Sequence, residues 1–512
     1  MRVLIFHGYL LRGTGSNVYN ANLAATLVAL GHEVHLLSQE REAGSLAFVD
    51  AIGTWERGAL DVRGGDERPK CTVYRPDIGG LLPVYVADRY DGIEARPFPE
   101  CSDEEVERYV EANVEAVGDV VKRAQPDLAL ANHLVMGPAI LARALAGTGV
   151  PYAMKVHGSA LEYTVKPHPR FLPWAREGLA GAAGVLVGSR HVARSLWAAM
   201  DEPDLPSRTR LGPPGVNVAA FRPRSAPEAR DELGALGSRL RAAGREEKPG
   251  RDDSAFARDE TAAAQAVEEL AQAGDAPLVV YVGKFLAAKG IDLLLAAWPL
   301  VLTRVPGARL ALVGFGSFEP TARELLAALA ARDMARALAV ARPDLHHLEA
   351  FLTGLSAAEA NRYFASAGLL PPSTAWVGRL EHDELASLLP ACEVQVVPST
   401  FPEAFGMVAA EAAACGVLPV SAQHSGLAEV SETLGRALPE GLEHLLTFTV
   451  GPDAVPDIAD RIVEWLQTAP AERAAVREGL VEVAREHYSW EGVARGVLAA
   501  AAGRLEELAA AD

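Results

Sequence analysis

The sequence predicts an α/β protein of two domains, each built on a mainly parallel sheet. Three observations carry that expectation. The chain has 512 residues, too many for one ordinary hydrophobic core, and two domains of about 200 residues each is the natural division. Short apolar runs alternate with helix-length stretches from the first residue, the order that gives a parallel sheet covered on both faces. The alternation breaks in mid-chain, across a stretch rich in Ala, Glu and Arg, and then restarts.

MRVLIF forms the first strand, and Asn17 to Leu30 an amphipathic helix ending at Gly31, a residue that caps helix C-termini. EVHLLS follows as a strand, so a βαβ unit opens the chain, with the glycine-bearing loop GYLLRGTGS inside it. Further strands are expected at DLALAN (127–132), YAMKVHG (152–158) and GVLVGS (184–189). From about Ser225 to Asp275 the text is charged, helical at both ends and without apolar period in its middle. It reads as a solvated insertion beside the interdomain linker, outside both cores. The alternation resumes with strand APLVVYVGKF, helix IDLLLAAWPLVLTRV and strand ARLALVGFG. Pro320 to Thr374 is Ala-rich and helical, longer than a connection in a compact domain needs. Strands TAWVGRL, CEVQVVPS and VLPVSA follow, with helices at about 382–389 and 406–414 between them.

Composition removes several function classes. The formal charge of −19 lacks the basic footprint of a nucleic-acid binder and gives no broad attraction to an anionic membrane. No run reaches the roughly 18 to 20 apolar residues of a membrane span, and the start reads as a strand, not a signal peptide. Cys71, Cys101, Cys392 and Cys415 are widely spaced, which supports neither a disulfide framework nor a zinc site, and a cytoplasmic setting is expected. No Asp-x-Asp triplet occurs, so no bound metal and no cofactor are expected. The basic residues are overwhelmingly Arg. Of the seven Lys, two are Lys284 and Lys289, and none follows them.

The strongest motif is STFPEAFGMVAAEAAACGVLPVSAQHSGLAEV (399–430). A helix N-terminus there offers free backbone N–H groups and a positive dipole end, suited to a diphosphate. Gly406 lets a ligand approach the main chain. Glu403 lies in the loop before the helix, where it can accept hydrogen bonds from sugar hydroxyls. Glu411 sits more than one turn deeper and can bind ribose hydroxyls. PSTFPEAFG, Glu411 and SGLAE together resemble the donor-site signature of the retaining GT-B glycosyltransferases, the group 1 family. That family includes bacterial glucosyl-, mannosyl- and N-acetylglucosaminyltransferases and sucrose synthases. The resemblance implies that Glu403 holds the transferred sugar, that Glu411 holds the ribose, and that the amides of Phe405, Gly406 and Met407 face the sugar and diphosphate.

In VYVGKFLAAKGIDLLLAA (280–297) a strand ends at Gly283, Lys284 follows, and Lys289-Gly290 precedes a helix. The family pattern is Gly-Arg followed by Lys-Gly, and its two cations stabilise the leaving diphosphate. Lys284 departs from it, supplying a point charge without the guanidinium fork. MKVHGSALEYTVK (154–166) places His157 at a strand end, where the family carries a His facing the donor sugar. GYLLRGTGSNVYNAN (8–22) resembles the family's first glycine-rich loop. Gly15 and Ser16 are then donor-side residues, and Gly13 and Asn17 acceptor-side ones. It is neither a P-loop nor a dinucleotide fingerprint. In LGPPGVNVAAFRP (211–223) Asn217 replaces the usual Asp, and Ser425 stands where the family usually has Gly. TAWVGRL matches the strand and loop that hold the nucleobase, with Arg379 and Leu380 nearest. HYSWEGVARGVLAAAAGRLEEL resembles the last helix, which crosses back to brace the first domain.

The resemblance implies two Rossmann-like domains facing a central cleft. The first spans 1–218, completed by a helix at about 490–512. The linker insertion is 225–275, and the nucleotide-sugar domain is 276–488 with a helical insertion at about 320–372. The implied function is transfer of a hexosyl group, with retention, from a nucleotide-diphosphate sugar to a small-molecule, glycan or lipid-linked acceptor. UDP is the favoured base, with GDP-mannose the other candidate. A glycoside phosphorylase of the same fold and a non-catalytic nucleotide-sugar binder are the competing readings.

Overall fold

The computed structural model describes residues 1–13, 15–64, 69–85, 93–245 and 258–512. They divide into two compact units, one of Met1–Gly215 with Ser489–Asp512 and one of Val216–Tyr488.

The strands of the first unit are β1 (Arg2–Phe6), β2 (Glu33–Leu37), β3 (Ala51–Glu56), β4 (Ala59–Arg63), β5 (Cys71–Arg75), β6 (Leu81–Val84), β7 (Glu94–Pro97), β8 (Leu128–Asn132), β9 (Tyr152–Val156), β10 (Gly184–Val187) and β11 (Thr209–Leu211). The main sheet runs in the order β11-β10-β9-β8-β1-β2-β5-β3-β4, and β6 pairs with β7 apart from it. All main-sheet pairings are parallel except the β3–β4 hairpin. β8 and β9 are buried along their whole length, the burial expected of strands covered on both faces. The long helix Asp103–Ala124 is opened by a reciprocal capping box between Ser102 and Glu105.

The helix Trp490–Ala501 belongs to this first unit. Trp490, Ala494, Val497, Leu498 and Ala501 form one stripe at helical spacing and enter the same core as Tyr19, Leu23 and Leu27. Trp490 seats against Gly215, where an added Cβ would stand 2.5 Å from the indole. A glycine is needed there for close approach.

The second unit carries β12 (Leu278–Val282), β13 (Arg309–Val313), β14 (Thr374–Gly378), β15 (Val394–Val397), β16 (Leu418–Ala422) and β17 (Thr447–Phe448) in the order β14-β13-β12-β15-β16-β17. All of these pairings are parallel.

The expectation that 225–275 lies outside both cores needs correction. Helices Ala226–Ala243 and Glu260–Ala271 fill its two ends, and Leu233, Leu236, Leu240, Val267 and Leu270 are buried in the core of the second unit. Their spacing of three and four residues makes a helical stripe, and buried Ala263 and Ala264 extend it. Residues 246–257, the middle of that stretch, lie outside the described residues. The Ala-rich stretch after Phe318 is helical, as its composition suggests, and Leu325, Leu329 and Leu348 join the same core.

Each sheet has a point at which its strand order reverses. In the first unit the reversal lies between β1 and β8, and in the second between β12 and β15. Loops leaving the carboxyl ends of the strands at such a point diverge, and the crevice they leave is where open α/β sheets bind ligands.

Candidate functional site

In the second unit, the loops after β12 and β15 bring the sequence-predicted residues together. Gly283 follows β12, and its N–H donates to Val313 O at 3.0 Å. At Gly314 an added Cβ would lie 1.9 Å from Gly283 O, and at Gly316 2.4 Å from Phe285 O, so these two loops touch backbone to backbone. Lys284 extends over the Phe315 ring, its Nζ 5.7 Å from the centroid. Gly290 takes φ +65° at the start of the helix Ile291–Arg304, and a Cβ there would meet Pro398 O at 1.8 Å. No side chain fits, and this contact sets Lys289 beside the loop that follows β15. Lys289 Nζ donates to Glu403 Oε1, with both side chains partly exposed.

The loop holding Glu403 is fixed from the far side. Glu403 N–H donates to Ser425 Oγ at 2.8 Å, and Gly426 N–H to Glu403 O at 3.0 Å. At Gly426 a Cβ would stand 2.7 Å from the Ala404 backbone, so only glycine allows this approach. Ser425 itself sits at φ +51°, a left-handed conformation that glycine adopts without strain. Gly406 precedes the helix Met407–Ala414, and a Cβ on it would come within 2.8 Å of Leu427. Phe405 packs its ring edge-on to Tyr488 at 5.4 Å. The backbone at Phe405, Gly406 and Met407 therefore turns into the helix N-terminus beside the Lys289–Glu403 pair.

Glu411 lies inside that helix, 2% exposed, and burial pushes its pKa up to about 8. Its Oε1 has no hydrogen-bond partner, although His382 Nε2 approaches to 3.3 Å. Arg379 follows β14, pairs with Glu381, and accepts at its carbonyl a 3.2 Å hydrogen bond from Arg258. Leu380 packs on the core. Arg258 also pairs with Glu384 and, at 2.6 Å, with Glu260, so the segment read as a solvated insertion braces the Arg379 loop.

In the first unit a second cluster forms where β1, β8 and β9 end. His157 follows β9, and its Nε2 is 3.0 Å from Asn132 Oδ1. Tyr19 and His133 pack on its ring, with centroids at 5.3 and 4.8 Å. Burial, then the neighbouring Lys155 and His7, hold its pKa well below the usual histidine range. Asn17, at the start of the helix Gly15–Ala29, has its Oδ1 2.9 Å from His7 Nε2. Ser16 O accepts from Asn20 at 2.9 Å. Gly13 takes φ +91° in the loop before them, while a Cβ added at Gly15 would touch nothing. The His157 group and the Glu403 group are each internal to one unit.

Residues 264–475 match the model described as glycosyl transferases group 1, and residues 14–215 the model described as glycosyl transferase 4-like domain. The chain carries a group 1 glycosyltransferase domain and a glycosyl transferase 4-like domain. A D-inositol 3-phosphate glycosyltransferase from a Nocardioides species is 28% identical over 67% of this chain, a match that spans 59% of the relative's length. A second, from Segniliparus rotundus, is 29% identical over 49% of this chain and 45% of its own length. Sucrose-phosphate synthase from Thermosynechococcus elongatus superimposes with a TM-score of 0.57 at 19% identity, covering 99% of this chain and 98% of its own. HepE from Anabaena, solved in complex with UDP, gives 0.57 at 14% identity over 99% and 100%. The fold is thus GT-B, an α/β architecture of two parallel-sheet domains. Among the described residues no helix is long and apolar enough to cross a membrane.

Sequence reasoning passed over several members of these clusters. Asp292 lies in the first turn of the helix after Gly290, is 3% exposed, and is pushed up to about 7 by burial against the pull of its own and Leu293's amides. Its place in Lys-Gly-Ile-Asp was a usable signal, because that spacing puts it at a helix N-terminus. His7, Asn20, Asn132 and His133 carried none. They lie at the ends of β1 and β8 and within the helix Gly15–Ala29, and only the strand order gathers them.

Proposed function

We propose that this chain transfers a hexosyl group from a nucleoside-diphosphate sugar to an acceptor hydroxyl, with retention of anomeric configuration. The observation that carries the proposal is the Lys289–Glu403 pair just before a helix N-terminus, with Lys284 on the same loop as Lys289, at the strand reversal of the second unit. Lys284, Lys289 and the amides of Phe405, Gly406 and Met407 take the diphosphate, whose charge grows as the sugar–phosphate bond breaks. Glu403 takes hydroxyls of the transferred sugar, Glu411 the ribose, and the loop at Arg379 and Leu380 the base. In the first unit His157, Gly15 and Ser16 take the donor side, and Gly13 and Asn17 the acceptor side. A donor phosphate oxygen receives the acceptor proton, so no protein nucleophile is required.

UDP in the HepE complex supports a UDP-sugar donor. The relatives named for D-inositol 3-phosphate make a phosphorylated polyol the first acceptor to test. A thermal-shift panel of UDP, GDP, ADP and their sugars identifies the donor, since binding to the folded state raises apparent stability by mass action. The best donor is then incubated with inositol 3-phosphate and the product's anomeric configuration read by NMR. An inverted product would overturn the retaining mechanism, and the absence of any nucleotide shift would overturn the donor site.

A further inference from the structure

The His157 cluster carries an order that the proposed function does not use. Asn132 Nδ2 is 2.7 Å from Asn20 Oδ1 and 3.3 Å from Phe6 O. Asn20 Nδ2 is 3.0 Å from His7 Nδ1 and 2.9 Å from Ser16 O, and Asn17 Nδ2 is 2.7 Å from Arg12 O. Each amide therefore turns its NH₂ toward a backbone carbonyl. A carbonyl accepts and never donates, so all three amide orientations are determined without reference to the histidines. The imidazoles have no choice left. His7 Nδ1 must accept from Asn20, so its proton is on Nε2 and goes to Asn17 Oδ1. His157 Nε2 must donate to Asn132 Oδ1.

We infer that Asn132, Asn20, His7 and Asn17 form a one-way hydrogen-bond relay from His157 Nε2–H to the Arg12 carbonyl, which holds His157 in its Nε2–H tautomer and joins it to the glycine-rich loop. Asn132 and Asn20 are positioning residues. His157 Nδ1 keeps its lone pair, so a ligand hydroxyl meets an acceptor there and not a donor. The relay crosses β1, β8 and β9 at the strand reversal, the place where this unit's ligand crevice opens. Burial of Asn20 and Asn132 keeps water from offering alternative partners. The use of Nδ1 rests on the proposal that His157 faces the transferred sugar. The tautomer does not.

The test is ¹⁵N NMR of the full chain labelled at histidine, near neutral pH without ligand, with His157 and His7 assigned by loss of signal in His157→Gln and His7→Gln. Both rings are expected as neutral Nε2–H tautomers. Asn20→Ala removes the donor to His7 Nδ1 and is expected to shift the His7 tautomer ratio by roughly fivefold, the factor one ordinary hydrogen bond sets. A residue that served only as packing would leave that ratio unchanged. An Nδ1–H or fast-averaging ring at either histidine in the unsubstituted chain overturns the relay, as does an unchanged His7 ratio in Asn20→Ala. Should the tautomers hold while His157→Gln keeps full turnover, the relay stands and the placement of His157 at the sugar falls.

Discussion

Lys289 donates through Nζ to Glu403 Oε1, so two groups assigned to different parts of one ligand hold each other. On the proposed function, binding of a sugar diphosphate would exchange this pair for two new ones, a phosphate on the lysine and hydroxyls on the glutamate. Glu403→Ala should lower kcat/KM on the order of a hundredfold, the scale of losing one preorganised group, while UDP affinity holds or rises because Lys289 is released. Calorimetric titration with UDP beside steady-state rates checks both halves. A matching loss of UDP affinity counts against the assignment.

Lys284 and Lys289 are expected to act on one diphosphate. Each Lys→Ala change should reduce kcat by about 2 to 4 kcal/mol of transition-state stabilisation. The double variant should lose less than the sum, because the two share a target. Lys284→Arg should retain much more activity than Lys284→Ala. Wild-type kcat in both single Ala variants, with the best donor, would end the leaving-group role.

Burial raises the Glu411 carboxyl from 4.5 to about 8. The folded chain keeps that proton to higher pH than the unfolded chain, so wild-type stability falls as pH climbs from about 4.5 to about 8. Glu411→Gln stays neutral throughout. Its stability relative to wild type should therefore grow across that window, by a few kcal/mol at most. Urea titrations at about pH 5 and about pH 8 measure the change, and a constant difference between the two refutes it.

Ser425 combines a left-handed backbone with an acceptor for the Glu403 amide. Ser425→Ala keeps the strain and loses the bond, and should destabilise by roughly 1 to 2 kcal/mol. Ser425→Gly relieves the strain while losing the same bond, and should come out near neutral in stability. Both should slow transfer, since the Glu403 loop is less well held. Thermal melts paired with rates separate the two effects.

Arg258 ties Glu260, Glu384 and the Arg379 carbonyl together while its own side chain is 13% exposed. Arg258→Ala leaves two largely buried carboxylates without their cation and should cost about 2 to 4 kcal/mol. It should also raise the donor KM, through the loop assigned to the base. Deleting residues 231–275 should abolish cooperative unfolding of the second unit, because Leu233, Leu236, Leu240 and Val267 go with it. A cooperative melt in that deletion would contradict the packing.

What the sequence disclosed follows from how local each signal is. Gly283 to Gly290 and Glu403 to Glu411 are short windows in which glycine, charge and helix start occur together, so they could be read without a fold. The packing of helices Ala226–Ala243 and Glu260–Ala271 was hidden because their stripe is thin. Leucines three and four residues apart stand among arginines and glutamates, and buried alanines such as Ala263 look like any alanine. His7, Asn20, Asn132 and His157 are scattered across the first 157 residues. Nothing in their spacing joins them. Parallel pairing of β1 with β8, and of β8 with β9, does.

The helix that carries Trp490 completes the sheet whose first strand begins at Arg2. A ribosome makes that strand first and this helix after all of 216–488, a delay on the order of tens of seconds at ordinary elongation rates. Throughout it the nascent chain displays the bare apolar strip that Trp490, Val497 and Leu498 later cover. The first unit therefore completes its core only after the second unit has been synthesised. A stop codon before Ser489 would strand that half as a chaperone client, although it removes no residue of either cluster.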